Sequence, residues 1–416
     1  MKTPLPHRLA ALTLAMFCAG AAQAAALEYL GQQIVPSGTL YAGTLVGGLS
    51  GMDRDTRTGR YLAISDDRSA ANPARFYELS LDLGQFVRSA TPGSAGVMFL
   101  GVTTVQQAGG GAFATNTVDP ESLRINPGNG KLVWSNEGQR GGAGVPALQN
   151  PTVREMDSTG AYVRDFAVPT HYNPAGLGAT DPGIRNNLAF ESLAVSTDGR
   201  TLYTATENAL VQDGTASSVS SGSPSRILSF DLAIGVAGGE YVYQVDPVAL
   251  PPLGNGFATN GLVELLATGP GQFIAVERSF AAGAATPGVG PNGLPTGNTI
   301  RLYQVDLRGA TDVSGLESLQ GASFTPVSKT LLLDLSTLQH DDGSLLALDN
   351  IEGITWGADF NGKRTLILVS DNNFAGSQFT QFVALSVTTP VPEPGTLAFM
   401  LAGLSGLGAA GLKRRR

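Results

Sequence analysis

Cysteine is almost missing from this chain: among 416 residues the only one is Cys18. It falls in an amino-terminal stretch that reads as removable, so the remainder has neither a disulfide nor a thiol nucleophile. Histidine is nearly as scarce, at three residues. His171 and His340 stand outside any Arg-His-Gly setting, which excludes histidine acid phosphatase chemistry. Positive charge is short as well, with 26 Lys and Arg against 34 Asp and Glu. The balance of −8 makes DNA, RNA and anionic lipid poor partners. A nucleophile elbow is lacking too, because Gly48-Leu49-Ser50-Gly51 is followed by Met52 where a glycine is required.

What is present begins at the two ends. Lys2 and Arg8 precede an apolar run from Leu9 to Ala22, and Ala22-Gln23-Ala24 has the small-x-small pattern that signal peptidase reads. Residues 1–24 are therefore expected to be a signal peptide. At the other end Gly395 to Leu412 is almost wholly apolar and is followed by Lys413, Arg414, Arg415 and Arg416. As a helix this run would measure about 27 Å, close to the hydrocarbon thickness of a bilayer, with its basic end cytoplasmic. Val391-Pro392-Glu393-Pro394 precedes it, and the whole tail, 389–416, resembles the PEP-CTERM sorting signal of Gram-negative bacteria. That resemblance implies exosortase processing near the Pro-Glu-Pro, with membrane anchoring only in transit and delivery to the surface or beyond. Losing the six cationic residues of the two ends, and Glu393 with them, takes the charge of the body, 25–388, from −8 to −13.

Within that body, 54 glycines, 24 prolines and many short Val/Leu/Ile/Tyr runs punctuated by Asp-Gly and Asn-Gly turns indicate strands. One hairpin recurs five times: at GGLSGMDRDTRTGRYLAISDD, VDPESLRINPGNGKLVWSNEG, LAFESLAVSTDGRTLYTATEN, NGLVELLATGPGQFIAVERSF and DNIEGITWGADFNGKRTLILVSDNNF. A third apolar strand follows each copy, as at Arg75–Leu79, Arg226–Phe230 and Arg301–Val305, and fourth strands read at Val97–Val105, Tyr162–Val168, Tyr241–Val245 and Lys329–Leu335. Four-stranded units at a fixed period specify an all-β propeller of five blades. The last repeat lacks a fourth strand, which Leu27–Val35 would supply by closing the ring. The alternative is a sixth blade hidden in the last and longest interval between repeats.

Aligned on its acids, the hairpin yields two columns. The first is Ser50, Glu121, Glu191, Glu264 and Glu352; the second is Asp66, Glu137, Glu207, Glu277 and Asp371. In a propeller the first strand of each blade lines the axis, and the antiparallel second strand ends beside its start. Both columns should therefore meet at one mouth. Three roles compete for these acids: pairing with arginines such as Arg68, Arg124, Arg185 or Arg278, holding a calcium cluster through hard oxygen ligands, or direct acid/base catalysis.

The hairpins, above all DNIEGITWG with LVSDNNF and RNNLAFESLAVSTDGRTLYTATEN, resemble the bacterial phytase-like family, described as esterase-like activity of phytase, from about Leu27 to Val387. The resemblance implies an exported propeller that hydrolyses phosphoesters. An acidic mouth excludes an anionic substrate unless cations invert its field, so that activity requires bound metal, calcium being the expected ion. Arg68, Arg140 and Arg278, close behind their column acids, are the candidate phosphate contacts. A different class of function is a non-catalytic surface propeller that binds extracellular polysaccharide or an envelope protein, with loop aromatics such as Tyr172 as stacking platforms.

Overall fold

A computed structural model describes residues 26–388. The expected signal peptide, Cys18, the apolar run 395–412 and its basic tail lie outside the described residues. Among the described residues no helix is long and apolar enough to cross a membrane.

Five four-stranded antiparallel sheets follow one another along the chain. Blade 1 comprises Leu49–Arg54, Tyr61–Ser65, Arg75–Leu81 and Val97–Thr104. Blade 2 comprises Pro120–Ile125, Leu132–Asn136, Thr152–Met156 and Tyr162–Asp165. Blade 3 is built from Phe190–Val195, Thr201–Thr206, Ser223–Asp231 and Ala237–Val245, and blade 4 from Ala258–Gly269, Gln272–Ala281, Asn298–Asp306 and Ser328–Asp334. Blade 5 has Asn350–Trp356, Thr365–Asp371 and Thr380–Thr388, and Ala26–Val35 adds its outermost strand. The first strand of every blade packs on the first strands of its two neighbours, blade 5 returning to blade 1, so the ring closes. The architecture is a five-bladed β-propeller, with no sixth blade among the described residues: the long interval before blade 5 carries the outer strand of blade 4 and an irregular connection.

The apolar runs are continuous because each blade is buried on both faces. Along Thr365–Asp371, Leu366 and Leu368 pack toward blade 4 with Ile274, Val276 and Leu302. Ile367 and Val369 point the other way, into a core with Leu49, Met52 and Tyr77 of blade 1. Similar apolar layers separate blades 1 and 2, 2 and 3, and 3 and 4. With no disulfide available, these five interfaces hold the ring; truncating a fully buried member such as Leu368 to alanine should cost about 2–5 kcal/mol.

An irregularity recurs near the start of every first strand. The register between first and second strands slips at Leu49/Gly51, Pro120/Leu123, Phe190/Ser192, Leu262/Glu264 and Ile351/Gly353. Each slip is a β-bulge, which re-aims a side chain and bends the strand. It brings the residue at the bulge toward the axis.

Candidate metal centre

The bulges fix which residues are equivalent, and they shift blade 4 by one position. Their residues are Ser50, Glu121, Glu191, Val263 and Glu352. The second column is set by the backbone pairing of Gly48 with Asp66, Asp119 with Glu137, Ala189 with Glu207, Gly261 with Arg278 and Asn350 with Asp371. Blade 4 thus presents Val263 and Arg278 where the sequence alignment put Glu264 and Glu277.

Seven of the nine acids in the two columns converge at one end of the axis: Asp66, Glu121, Glu137, Glu191, Glu207, Glu352 and Asp371. Five of them, Asp66, Glu121, Glu191, Glu352 and Asp371, line a cavity of about 660 Å³ there. Glu137 and Glu207 stand behind Glu191, and Asp119 joins the group. The sequence alignment missed Asp119; its signal was the Asp119-x-Glu121 pair, which places one carboxylate just before the bulge and one on it. Space for the cluster comes from glycine: a Cβ on Gly48 would lie 2.1 Å from Asp66 Oδ1, and one on Gly261 would lie 2.1 Å from Glu207 Cγ.

Two trios within the cluster have the proximity that a cation needs. Asp119, Glu121 and Glu137 form one, and Glu137, Glu191 and Glu207 the other; in each, one oxygen per residue lies within 4.8 Å of the others. Glu137 belongs to both. All five are buried. Glu207 is 0% exposed, and neither of its carboxylate oxygens has a hydrogen-bond partner. Its ion-pair partner, Arg278, stands 3.5 Å away.

Burial and mutual repulsion push these acids toward the protonated form. Glu121 is held well above the usual carboxylate range by burial and by Glu191 and Asp119. Glu191 is raised in the same way by burial, Glu137 and Glu207, and Asp371 by burial, Asp66 and Glu352. Burial carries Glu207 to about 8 despite the opposing charge of Arg278, and burial with Glu352 carries Asp66 to about 7.

Two guanidiniums offset part of the charge. Arg68 pairs with Asp119 and lies 3.8 Å from Glu137, while Arg278 reaches Glu352 at 3.1 Å. Both line the cavity. Arg140 does not: it donates to the carbonyls of Ile184, at 3.1 Å, and Gly178, bracing a loop. Tyr172 is fully buried against Phe190 and offers no stacking surface.

Glu264 and Glu277 lie apart from the mouth. Glu264 follows its bulge by one residue and faces deeper along the axis, where Gly51, Ser122, Ser192 and Gly353 occupy the equivalent positions of the other blades. It pairs with Arg124 at 2.9 Å and accepts from Ser122 Oγ and the Leu193 amide. Arg124 in turn donates to the carbonyls of Met52, Leu265 and Ile354. This pair touches all five blades and fills the axis below the acids. Glu277 points between blades 3 and 4, where it meets Lys329 and accepts from Tyr243 Oη at 2.8 Å and Asn260 at 2.8 Å.

The sequence model of the phytase-like family, described as esterase-like activity of phytase, matches residues 44–374. That of the PEP-CTERM protein-sorting motif matches residues 390–416. No curated protein matches the chain. Similar solved structures include the Dos1 propeller, at 9% identity and a TM-score of 0.34, covering 85% of this chain and 71% of that one. An exo-β-1,3-galactanase from Clostridium thermocellum matches at 12% identity and a TM-score of 0.44, covering 86% of this chain and 62% of its own. A protein of unknown function from Dyadobacter fermentans matches at 9% identity and a TM-score of 0.38, over 87% and 99% of the two chains.

Proposed function

Since this chain belongs to the phytase-like family described as esterase-like activity of phytase, we propose that its acidic mouth binds divalent cations, calcium foremost, and through them a phosphoester that it hydrolyses. One observation carries the reading: the fully buried carboxylate of Glu207, which accepts no hydrogen bond and has only Arg278 at 3.5 Å as a counter-charge, faces Glu137 and Glu191 within ligand-sharing distance. A buried carboxylate without hydrogen bonds is costly unless it is protonated or holds a cation.

The donor set fits a hard cation. Every side chain of the two trios offers carboxylate oxygen, and none offers sulfur or imidazole, which is the chemistry calcium selects. Asp119, Glu121, Glu137, Glu191 and Glu207 would hold the ions, with Asp66, Glu352 and Asp371 completing the charged rim. When bound, such ions supply a positive field and polarise a phosphoryl oxygen or a water molecule. Arg68 and Arg278, already seated in the cavity wall, orient the anionic group by charge and hydrogen bonds. Their pairing with Asp119 and Glu352 keeps them in place while the cavity is empty of substrate. Asp371, which lines the cavity outside both trios and which burial, Asp66 and Glu352 push toward the protonated form, is the candidate for donating a proton to a leaving alkoxide.

The sorting motif implies processing by exosortase during export. We place the mature propeller at the cell surface or outside the cell, where millimolar calcium sustains weak sites. The reading is tested by assaying the protein on an aryl phosphate with calcium and with chelator. Calcium-dependent turnover that Glu207→Gln abolishes is expected; absence of turnover under both conditions would leave a binding module and remove the hydrolase.

A further inference from the structure

Blade 4 breaks the acidic pattern of the mouth in more than two places. Beyond Val263 and Arg278, it supplies the apolar part of the cavity wall: Phe257, Phe280, Leu294 and Pro295 all line it. Phe257 is 67% exposed and Leu294 62%, an unusual display for large apolar side chains beside a cluster of acids. The two phenyl rings lie 6.2 Å apart, tilted by 36°, and so form one aromatic surface. The loop that bears Leu294 is pinned, because a Cβ on Gly288 would lie 2.3 Å from the backbone of Leu346 and Ala347 and because Asn292 donates to the Ser377 carbonyl. The apolar wall therefore stays in place rather than folding into a core.

Next to these rings is an unused polar group. Asn298 lies directly across the strand pair from Phe280, is 2% exposed, and its side-chain oxygen has no hydrogen-bond partner. It lines the same cavity. A buried amide beside a solvent-facing aromatic surface marks a place for a ligand with one polar and one apolar end.

Charge limits how anionic that ligand can be. The cations of the wall, Arg68 and Arg278, are already engaged by carboxylates, and the two acidic trios share Glu137. A ligand with many phosphates would meet uncompensated acids around most of the rim.

We propose that the ligand of this cavity is a phosphoester carrying a single phosphoryl group and an aromatic or similarly apolar substituent, with the phosphoryl group over the acids of blades 2 and 3 and the substituent against Phe257, Phe280 and Leu294 of blade 4. The inference rests on the cation-dependent reading above and names the substrate class of that same site. It separates this protein from one built for a densely phosphorylated polyol.

The test uses calcium-loaded protein and three non-hydrolysed or competing probes: phenylphosphonate, methylphosphonate and inositol hexakisphosphate, with binding followed by calorimetry. Phenylphosphonate should bind about tenfold more tightly than methylphosphonate, and Phe257→Ala should reduce the ratio to about one while calcium binding stays unchanged. Inositol hexakisphosphate should compete no better than methylphosphonate. Equal binding of the two phosphonates, or a ratio unaffected by Phe257→Ala, overturns the apolar subsite and leaves the cation site standing. Tight competition by inositol hexakisphosphate overturns the limit on charge. Failure of both phosphonates to bind calcium-loaded protein overturns the subsite together with the reading it rests on.

Discussion

Arg278 of blade 4 occupies the position that Glu207 holds in blade 3, and the two meet, Nη2 standing 3.5 Å from Oε1. A ring of acids is thus interrupted by one cation at the point where the pattern of the repeat changes, and that cation also binds Glu352 of blade 5 at 3.1 Å. Replacing it with Gln leaves two buried carboxylates without it. In the presence of chelator at pH 8, Arg278→Gln should lose about 3–5 kcal/mol of unfolding free energy in urea. At pH 5, well below the value of about 8 to which burial carries Glu207, the loss should be smaller.

The same acids set the pH response of the ion-free protein. Their folded-state pKa values are raised above the ordinary carboxylate range, so they favour folding at low pH, and that contribution is lost as pH rises through the folded values. Asp66 at about 7 and Glu207 at about 8 define the window. The melting temperature of chelator-treated protein should fall steadily between pH 5 and pH 9. Calcium should flatten the profile, since a ligand at one hundred times its Kd adds about 2.7 kcal/mol.

Glu207→Gln should act with opposite signs in the two states. Without cation it removes a carboxylate whose ionisation the fold opposes, and stability at pH 8 should rise by about 1 kcal/mol. With calcium present it removes an oxygen ligand, and affinity should drop at least about tenfold. A parallel thermal melt and titration read both effects; a variant destabilised in chelator and unchanged in calcium affinity would assign Glu207 a purely structural part.

The axial pair Arg124 and Glu264 is expected to matter for folding and not for ions. Breaking it with Glu264→Leu strands a buried guanidinium and should cost about 3–5 kcal/mol. The double substitution Arg124→Met with Glu264→Leu should recover most of that loss, since an apolar pair of similar volume needs no compensation. Calcium binding should be the same in the double variant and in the parent.

Much of this molecule was legible in its sequence because the repeating unit is a hairpin with both faces buried: runs such as LILVS and FIAV are too apolar for a surface strand and recur at a common period. The closing role of Leu27–Val35 followed from the missing fourth strand of the last repeat. What could not be read was the bulge. A bulge changes side-chain direction without changing residue types, so aligning acid with acid slid blade 4 by one residue and put Glu264 and Glu277 in the mouth. The column of small residues that follows the bulge, Gly51, Ser122, Ser192 and Gly353, is the signal that places Glu264 among them. Arg278, named as a phosphate contact for its nearness to an acid, turns out to be a member of the second column itself.

Calcium titration of chelator-stripped protein, run beside Glu137→Gln, bears most directly on the central claim, because Glu137 belongs to both acidic trios. The account predicts saturable binding of at least one ion per chain, a higher melting temperature at saturation, and loss of both in Glu137→Gln. Protein that takes up no calcium, with a melting temperature indifferent to calcium and chelator from pH 5 to pH 9, would contradict it.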